Sequence, residues 1–82
     1  MTKSDNEGTL QMQPSGRWAV CRPGLAPVEI TSGELFRVAV PGTKGLSVTR
    51  MEYRHARGAG GYYSVNGHFL HDGLRAAIGE KD

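Results

Sequence analysis

An arginine-rich segment in the middle of the chain is the first group of residues whose types and spacing suit ligand binding. Arg50, Glu52 and Arg54 alternate with other residues in a β-branched and aromatic stretch, so a strand would place all three on one face. Arg57 and Tyr62 follow in the chain. Cations that contact phosphates, beside a ring that stacks on bases, are typical of surfaces for single-stranded nucleic acid. The sequence therefore predicts an anion or nucleic-acid site at Arg50, Arg54, Arg57 and Tyr62.

The same triplet also has a purely structural explanation. Arg50 and Arg54 flank a carboxylate, Glu52, and such a mixed-sign row often pairs with itself on a solvated strand face, with little effect on stability. The charge balance favours an anionic partner only mildly. Residues 16–79 carry eight basic and four acidic side chains, and seven of the eight are arginines, which contact phosphate and stack on rings better than lysine does.

Other constellations predict neither a metal nor a cofactor. His55, His68 and His71 are three imidazoles that suit zinc by residue type, but no His-Glu-x-x-His motif and no second cysteine accompany them. Surface histidines are the simpler interpretation. Cys21 is the only cysteine, so it cannot form an intrachain disulfide, and a half-buried structural thiol is favoured over a reactive one.

The sequence predicts that the protein is not an enzyme. Residues 57–61 contain a glycine-rich fragment, but no helix signal and no Lys-Ser or Lys-Thr pair follows it, as phosphate-binding loops require. No set of nucleophile, base and oxyanion donor is visible. The polar N-terminus lacks the apolar stretch of a signal peptide, and no run reaches the length of a membrane span. With no disulfide either, the cytoplasm is the expected location.

The segment from residue 47 to residue 70 indicates three strands in succession. Residues 47–54 and 62–65 are rich in β-branched and aromatic types, and residues 55–61 indicate a loop between them. Asn66 and Gly67 predict a two-residue type I′ turn with positive φ at both positions, followed by a strand at residues 68–70. Leu46 and Val48 are out of phase with the apolar residues after them, which predicts a bulge or a bend near Thr49.

Further strands are expected on both sides of this segment. They lie at residues 16–21, 28–31 and 34–40, and residues 74–78 fit either a strand or a helical turn. The alternation predicts a core on the inward faces of these strands. Its expected members are Phe36, Val38, Val40, Met51, Tyr63 and Val65, with Trp18 closing one end.

The expected fold is therefore all-β: a small antiparallel, strongly bent sheet or SH3-like barrel of five to seven short strands with a disordered N-terminus. A single domain at residues 16–79 is predicted, with a disordered segment at residues 1–15 and a frayed tail at residues 80–82.

From residue 32 onwards the chain resembles small uncharacterised domains encoded on bacterial plasmids and other mobile elements. The resemblance lies in Thr-Arg-Met-Glu-Tyr at residues 49–53, the pair Tyr62 and Tyr63, and Asp-Gly-Leu-Arg at residues 72–75. It implies a small β domain of bacterial origin and supplies no activity.

Two functions follow as expectations, and a small enzyme is the least favoured third. One is an accessory domain that binds nucleic acid through the arginine-rich strand face. The alternative is a protein-interaction or inhibitor module of a mobile element, in which exposed aromatics such as Tyr62 and Phe69, or an open strand edge, contact another protein. Binding to phosphates weakens steeply as salt rises, whereas an apolar interface is much less sensitive.

Overall fold

The computed structural model describes residues 6–54 and 61–80 and contains seven strands. They are β1 (Glu7–Met12), β2 (Trp18–Cys21), β3 (Val28–Glu29), β4 (Leu35–Ala39), β5 (Leu46–Arg54), β6 (Gly61–Ser64) and β7 (Arg75–Ile78). All of them join one antiparallel sheet in the order β3-β2-β1-β7-β4-β5-β6. The expected all-β, strongly bent small sheet is confirmed. No helix in the described part of the chain is long and apolar enough to cross a membrane.

The sheet is built from two three-stranded meanders and one strand that joins them. Strands β1, β2 and β3 pair in chain order, and so do β4, β5 and β6. The last strand, β7, inserts between β1 and β4. Of residues 74–78, which the sequence allows to be either a strand or a helical turn, Arg75–Ile78 form a strand. This strand connects the two meanders.

One face of the curled sheet holds the core. The alternation in β4 places Phe36 and Val38 inward, and both are fully buried, as expected. Met51 is also buried as predicted, whereas Val40 and Trp18 pack against the core only partly buried. The core proper consists of Leu10, Val20, Ile30, Phe36, Val38, Met51 and Ala76.

The prediction of a disordered segment at residues 1–15 is wrong for Glu7–Met12, which form β1. Leu10 is fully buried and lies opposite Val20, and the strand pairs with both β2 and β7. The stretch is polar and contains Gly8, so its local preference for a strand is low. Two neighbouring strands supply its backbone partners, and tertiary pairing overrides weak propensity. Residues 1–5 lie outside the described residues.

The prediction that Tyr63 and Val65 belong to the core is wrong. Both are more than a third exposed, because Tyr62 and Ser64 point inward and strand side chains alternate. The sequence alone does not indicate which of two adjacent tyrosines faces inward. Because the polar Ser64 is buried on the same face as Tyr62, the pattern of polar and apolar residues in β6 points to the wrong face.

Three predicted local features are absent: the type I′ turn, the strand at residues 68–70 and the bulge near Thr49. Gly67 has a φ of 78°, but among the described residues only glycines have positive φ, so Asn66 does not. The turn instead runs from Ser64 to Gly67, whose N–H donates to the Ser64 carbonyl at 2.9 Å, and residues 68–70 do not form a strand. No bulge occurs near Thr49, since the register of β5 against β4 is unbroken. Leu46 and Val48 lie on the outer face.

We expect Val38→Ala to lower the free energy of unfolding by about 1–3 kcal/mol, because it removes buried methyl groups from the centre of the core. Val48→Ala is the matched control: Val48 lies on the neighbouring strand but is 43% exposed on the outer face. Urea denaturation of both variants measures the difference in the free energy of unfolding. Equal losses would contradict the assignment of Val38 to the inner face and Val48 to the outer face.

Gly8 is expected to tolerate no side chain. A Cβ atom there would lie 2.2 Å from the Cys21 carbonyl oxygen, whereas one at Gly61 would meet nothing within 4 Å. Gly8→Ala should therefore destabilise the fold by roughly 1–3 kcal/mol, and Gly61→Ala should change stability by less than about 0.5 kcal/mol. Thermal unfolding of the two variants tests this, and a harmless Gly8→Ala would refute the tight approach of β1 to the end of β2.

Candidate nucleic-acid interface

The outer face of β5 carries the predicted row Arg50, Glu52 and Arg54. Arg50 Nε donates to Glu52 Oε2 at 2.7 Å, and Glu52 Oε1 accepts a hydrogen bond from Ser32 Oγ at 3.0 Å. The carboxylate is therefore bound on both oxygens, and it neutralises much of the field of Arg50. This arrangement matches the structural explanation of the triplet, and it leaves Arg54 as the stronger cation of the row.

Arg54 stacks on Tyr63 rather than on Tyr62. Tyr63 lies opposite Glu52 in the β5–β6 register, and the guanidinium carbon of Arg54 lies 5.0 Å from the centre of its ring. Both side chains are exposed. A shallow pocket of about 310 Å³ lies beside them, lined also by Gly61 and Tyr62. The pair thus offers a cation and a ring at one place on the surface.

Tyr62 points to the inner face, so its predicted place among the outer arginines is wrong. It lies opposite Tyr53, with ring centres 4.9 Å apart in an edge-on arrangement. Its hydroxyl accepts a hydrogen bond from Arg17 Nε at 3.2 Å, and Arg17 Nη1 lies 3.6 Å from Glu29. The Tyr62 hydroxyl, and after it Glu29, raise the pKa of Arg17 above its usual range. Arg17 thereby links the two edge strands, β3 and β6.

Apolar side chains border the outer row. Leu35 and Val65 lie on either side of Arg50, one on β4 and the other just after β6. Together with Val48 they are each about 40% exposed. The outer face therefore combines apolar patches with charges, and sequence reasoning missed this because it assigned Val65 to the core.

A buried pair of hydroxyls fixes β6 against β5. Thr49 and Ser64 lie 2.5 Å apart in a hydrogen bond, and both residues are at most 3% exposed. A buried hydroxyl without a partner is costly, so each residue requires the other. With Ser64 on the inner face, Tyr63 faces outward, where it meets Arg54.

The remaining candidates form no assembled site. Arg57 and His55 lie outside the described residues. His71 Nδ1 is 3.0 Å from the Asp72 carbonyl oxygen, and no group of three or more His, Cys, Asp or Glu that could hold a metal ion occurs in residues 6–54 and 61–80. Cys21 is half-buried.

Comparisons with known proteins return no family model, no curated protein and no solved structure that matches this chain.

We expect the Thr49–Ser64 pair to show strong coupling. Thr49→Val and Ser64→Ala should each cost about 1–3 kcal/mol, because each leaves one buried hydroxyl without its partner. The double variant should cost clearly less than the sum of the two. Urea denaturation of the four proteins gives the coupling energy, and simple additivity would show that the two hydroxyls do not depend on each other.

Proposed function

We propose that the protein is a small bacterial binding domain that holds single-stranded nucleic acid on the outer face of β5 and β6. The observation that supports this most is the Arg54 guanidinium stacked over the exposed ring of Tyr63. Base stacking on an aromatic side chain is tolerant of sequence, and arginine adds a phosphate contact at the same place.

The proposed contacts are few. Arg54 contacts one phosphate while a base stacks beside Tyr63. Arg50 reaches a second phosphate only by leaving Glu52, to which it is bound at 2.7 Å. Arg57, predicted from the sequence, would add a third contact. Binding of this size is weak at physiological salt, and a single strand is favoured because its bases are free to stack.

A protein-interaction or inhibitor module is the second candidate. Leu35, Val48 and Val65 are exposed on the same outer face as Arg50, and surface apolar groups that lie together on one face are typical of protein contacts. In this alternative, Arg54 and Tyr63 form the polar rim of an interface. Its affinity would fall only slightly as salt rises.

We expect the protein to bind a fluorescein-labelled single-stranded oligonucleotide at low salt, with a slope of log K against log salt near −2 for about three phosphate contacts. Arg54→Ala and Tyr63→Ala should each weaken binding about tenfold, because each removes half of the stack. Fluorescence anisotropy over a salt series measures both quantities.

Arg75→Ala is the matched control for Arg54→Ala. Arg75 is also an exposed strand arginine, but it lies on β7, which β4 separates from β5, and it pairs with Glu7 of β1. Its loss should leave binding unchanged. If the wild type binds no oligonucleotide, or if folded Arg54→Ala and Tyr63→Ala bind as well as the wild type, the nucleic-acid function is refuted and the protein-interaction candidate replaces it.

A further inference from the structure

The outward side of β6 is an edge with backbone groups available for pairing. The Val65 N–H donates to the Arg50 carbonyl, so Val65 and Tyr63 direct their backbone groups toward β5. Backbone direction alternates along a strand in an antiparallel pair. The N–H and C=O of Tyr62 and the N–H of Ser64 therefore point away from the sheet. Only the Ser64 carbonyl on this side has a partner among the described residues, namely the Gly67 N–H.

The other edge of the sheet is not equivalent. Strand β3 has only two residues, and the carboxylate of Glu29 is held by Ser15 Oγ at 2.8 Å and by Arg17. Native proteins keep an edge safe by making it short and charged. Strand β6 is longer and carries two tyrosines, so it is the edge that retains the capacity to pair.

Two pockets lie along the β6 edge, one at each end. The first is the pocket beside Arg54 and Tyr63 described above. The second, of about 340 Å³, is lined by Trp18 of β2, by Tyr62, Tyr63 and Ser64 of β6, and by residues 67–70, which follow the turn. Phe69 is 81% exposed, the largest exposure of any large hydrophobic side chain in the described chain. An added strand would direct alternate side chains to the two faces of the sheet, with Trp18 and Tyr62 on the inner side and Arg54 and Tyr63 on the outer side.

The side chains beside the β6 edge indicate which residues an added strand would need. On its inner side the added strand would meet apolar rings. On its outer side it would meet Arg54, and no carboxylate of the described residues lies within ion-pair distance of that guanidinium. An extended peptide that alternates apolar and acidic residues is complementary to both sides. Backbone hydrogen bonds would supply affinity, and the alternating side chains would supply specificity.

We propose that β6 takes an extended peptide from a partner protein as an eighth strand, with apolar side chains in the Trp18–Phe69 pocket and carboxylates facing Arg54. This inference concerns the strand edge and does not rest on nucleic-acid binding by the outer face. It stands if no oligonucleotide binds, and it can fail while oligonucleotides do bind.

The first test is selection from a displayed library of random octapeptides on the wild-type protein, with counter-selection on the double variant Arg54→Glu/Phe69→Ser. Both substitutions are at exposed positions, so the variant should fold, and its amide exchange pattern verifies this. We expect enrichment of peptides that alternate apolar and acidic residues. No enrichment over the variant, or enriched peptides without alternation, would overturn the proposal.

The second test asks whether the peptide pairs as a strand. In a synthetic, fluorescein-labelled copy of an enriched peptide, N-methylation of every second residue should weaken binding at least about tenfold, and N-methylation of the intervening residues should not, since only alternate amides face β6. On binding, the amides of Tyr62 and Ser64 should gain protection from hydrogen exchange. An effect of N-methylation without this period would exclude strand addition.

The third test is a charge exchange. Arg54→Glu should weaken binding about tenfold, and a peptide with lysine in place of its acidic residues should restore it, whereas Arg75→Glu should have no effect. Absence of rescue would refute the proposed contact with Arg54. Sedimentation of the protein alone distinguishes a peptide from a second copy of the chain as the occupant of the β6 edge. If the protein is a dimer and its Tyr62 and Ser64 amides are already protected from exchange, the second copy is the occupant and the peptide proposal is overturned.

Discussion

The pairing of β7 with both β1 and β4 is the constraint on which the rest of the structure depends. Each three-stranded meander could form from neighbouring chain segments, but neither buries its inner face alone. Strand β7 makes the backbone bonds that turn two meanders into one sheet. Its two alanines, Ala76 and Ala77, are fully buried, and their small side chains let the sheet curl tightly at this position. The two halves of the core then cover each other.

The curl explains why a chain this small has a core at all. A flat seven-stranded sheet would leave its inner face in water, whereas a curled one lets Leu10 and Val20 of one meander share a core with Phe36 and Met51 of the other. The sheet stops short of a closed barrel. Between its edges there is a contact through side chains, from Glu29 through Arg17 to Tyr62. Among the described residues, β5 is the only strand that pairs with β6.

The sequence correctly predicts the inward and outward faces of a strand in which polar and apolar residues alternate. Phe36 and Val38 could be placed inward because polar and apolar types alternate around them, and Arg50 and Arg54 could be placed together by the period of two. The sequence does not predict β1. This strand forms because its backbone pairs with β2 and β7, while its own residues have little preference for a strand. The sequence also fails to predict the phase of β6, because the polar Ser64 is buried there in a hydrogen bond to Thr49, fifteen positions away in the chain.

The phase of β6 determines the chemistry of the candidate sites. With Ser64 inward, Tyr63 faces outward to Arg54, and Tyr62 faces inward to Arg17. Which side chains of β6 face inward therefore decides two features. One is the Arg54–Tyr63 stack on the outer face, and the other is the set of side chains on the inner side of the β6 edge. Arg54 belongs to both surfaces, since it stands over Tyr63 and beside the strand edge. A carboxylate bound there would occupy the guanidinium that a phosphate needs, so the two proposed ligands exclude each other at Arg54 and only one of them can be held at a time.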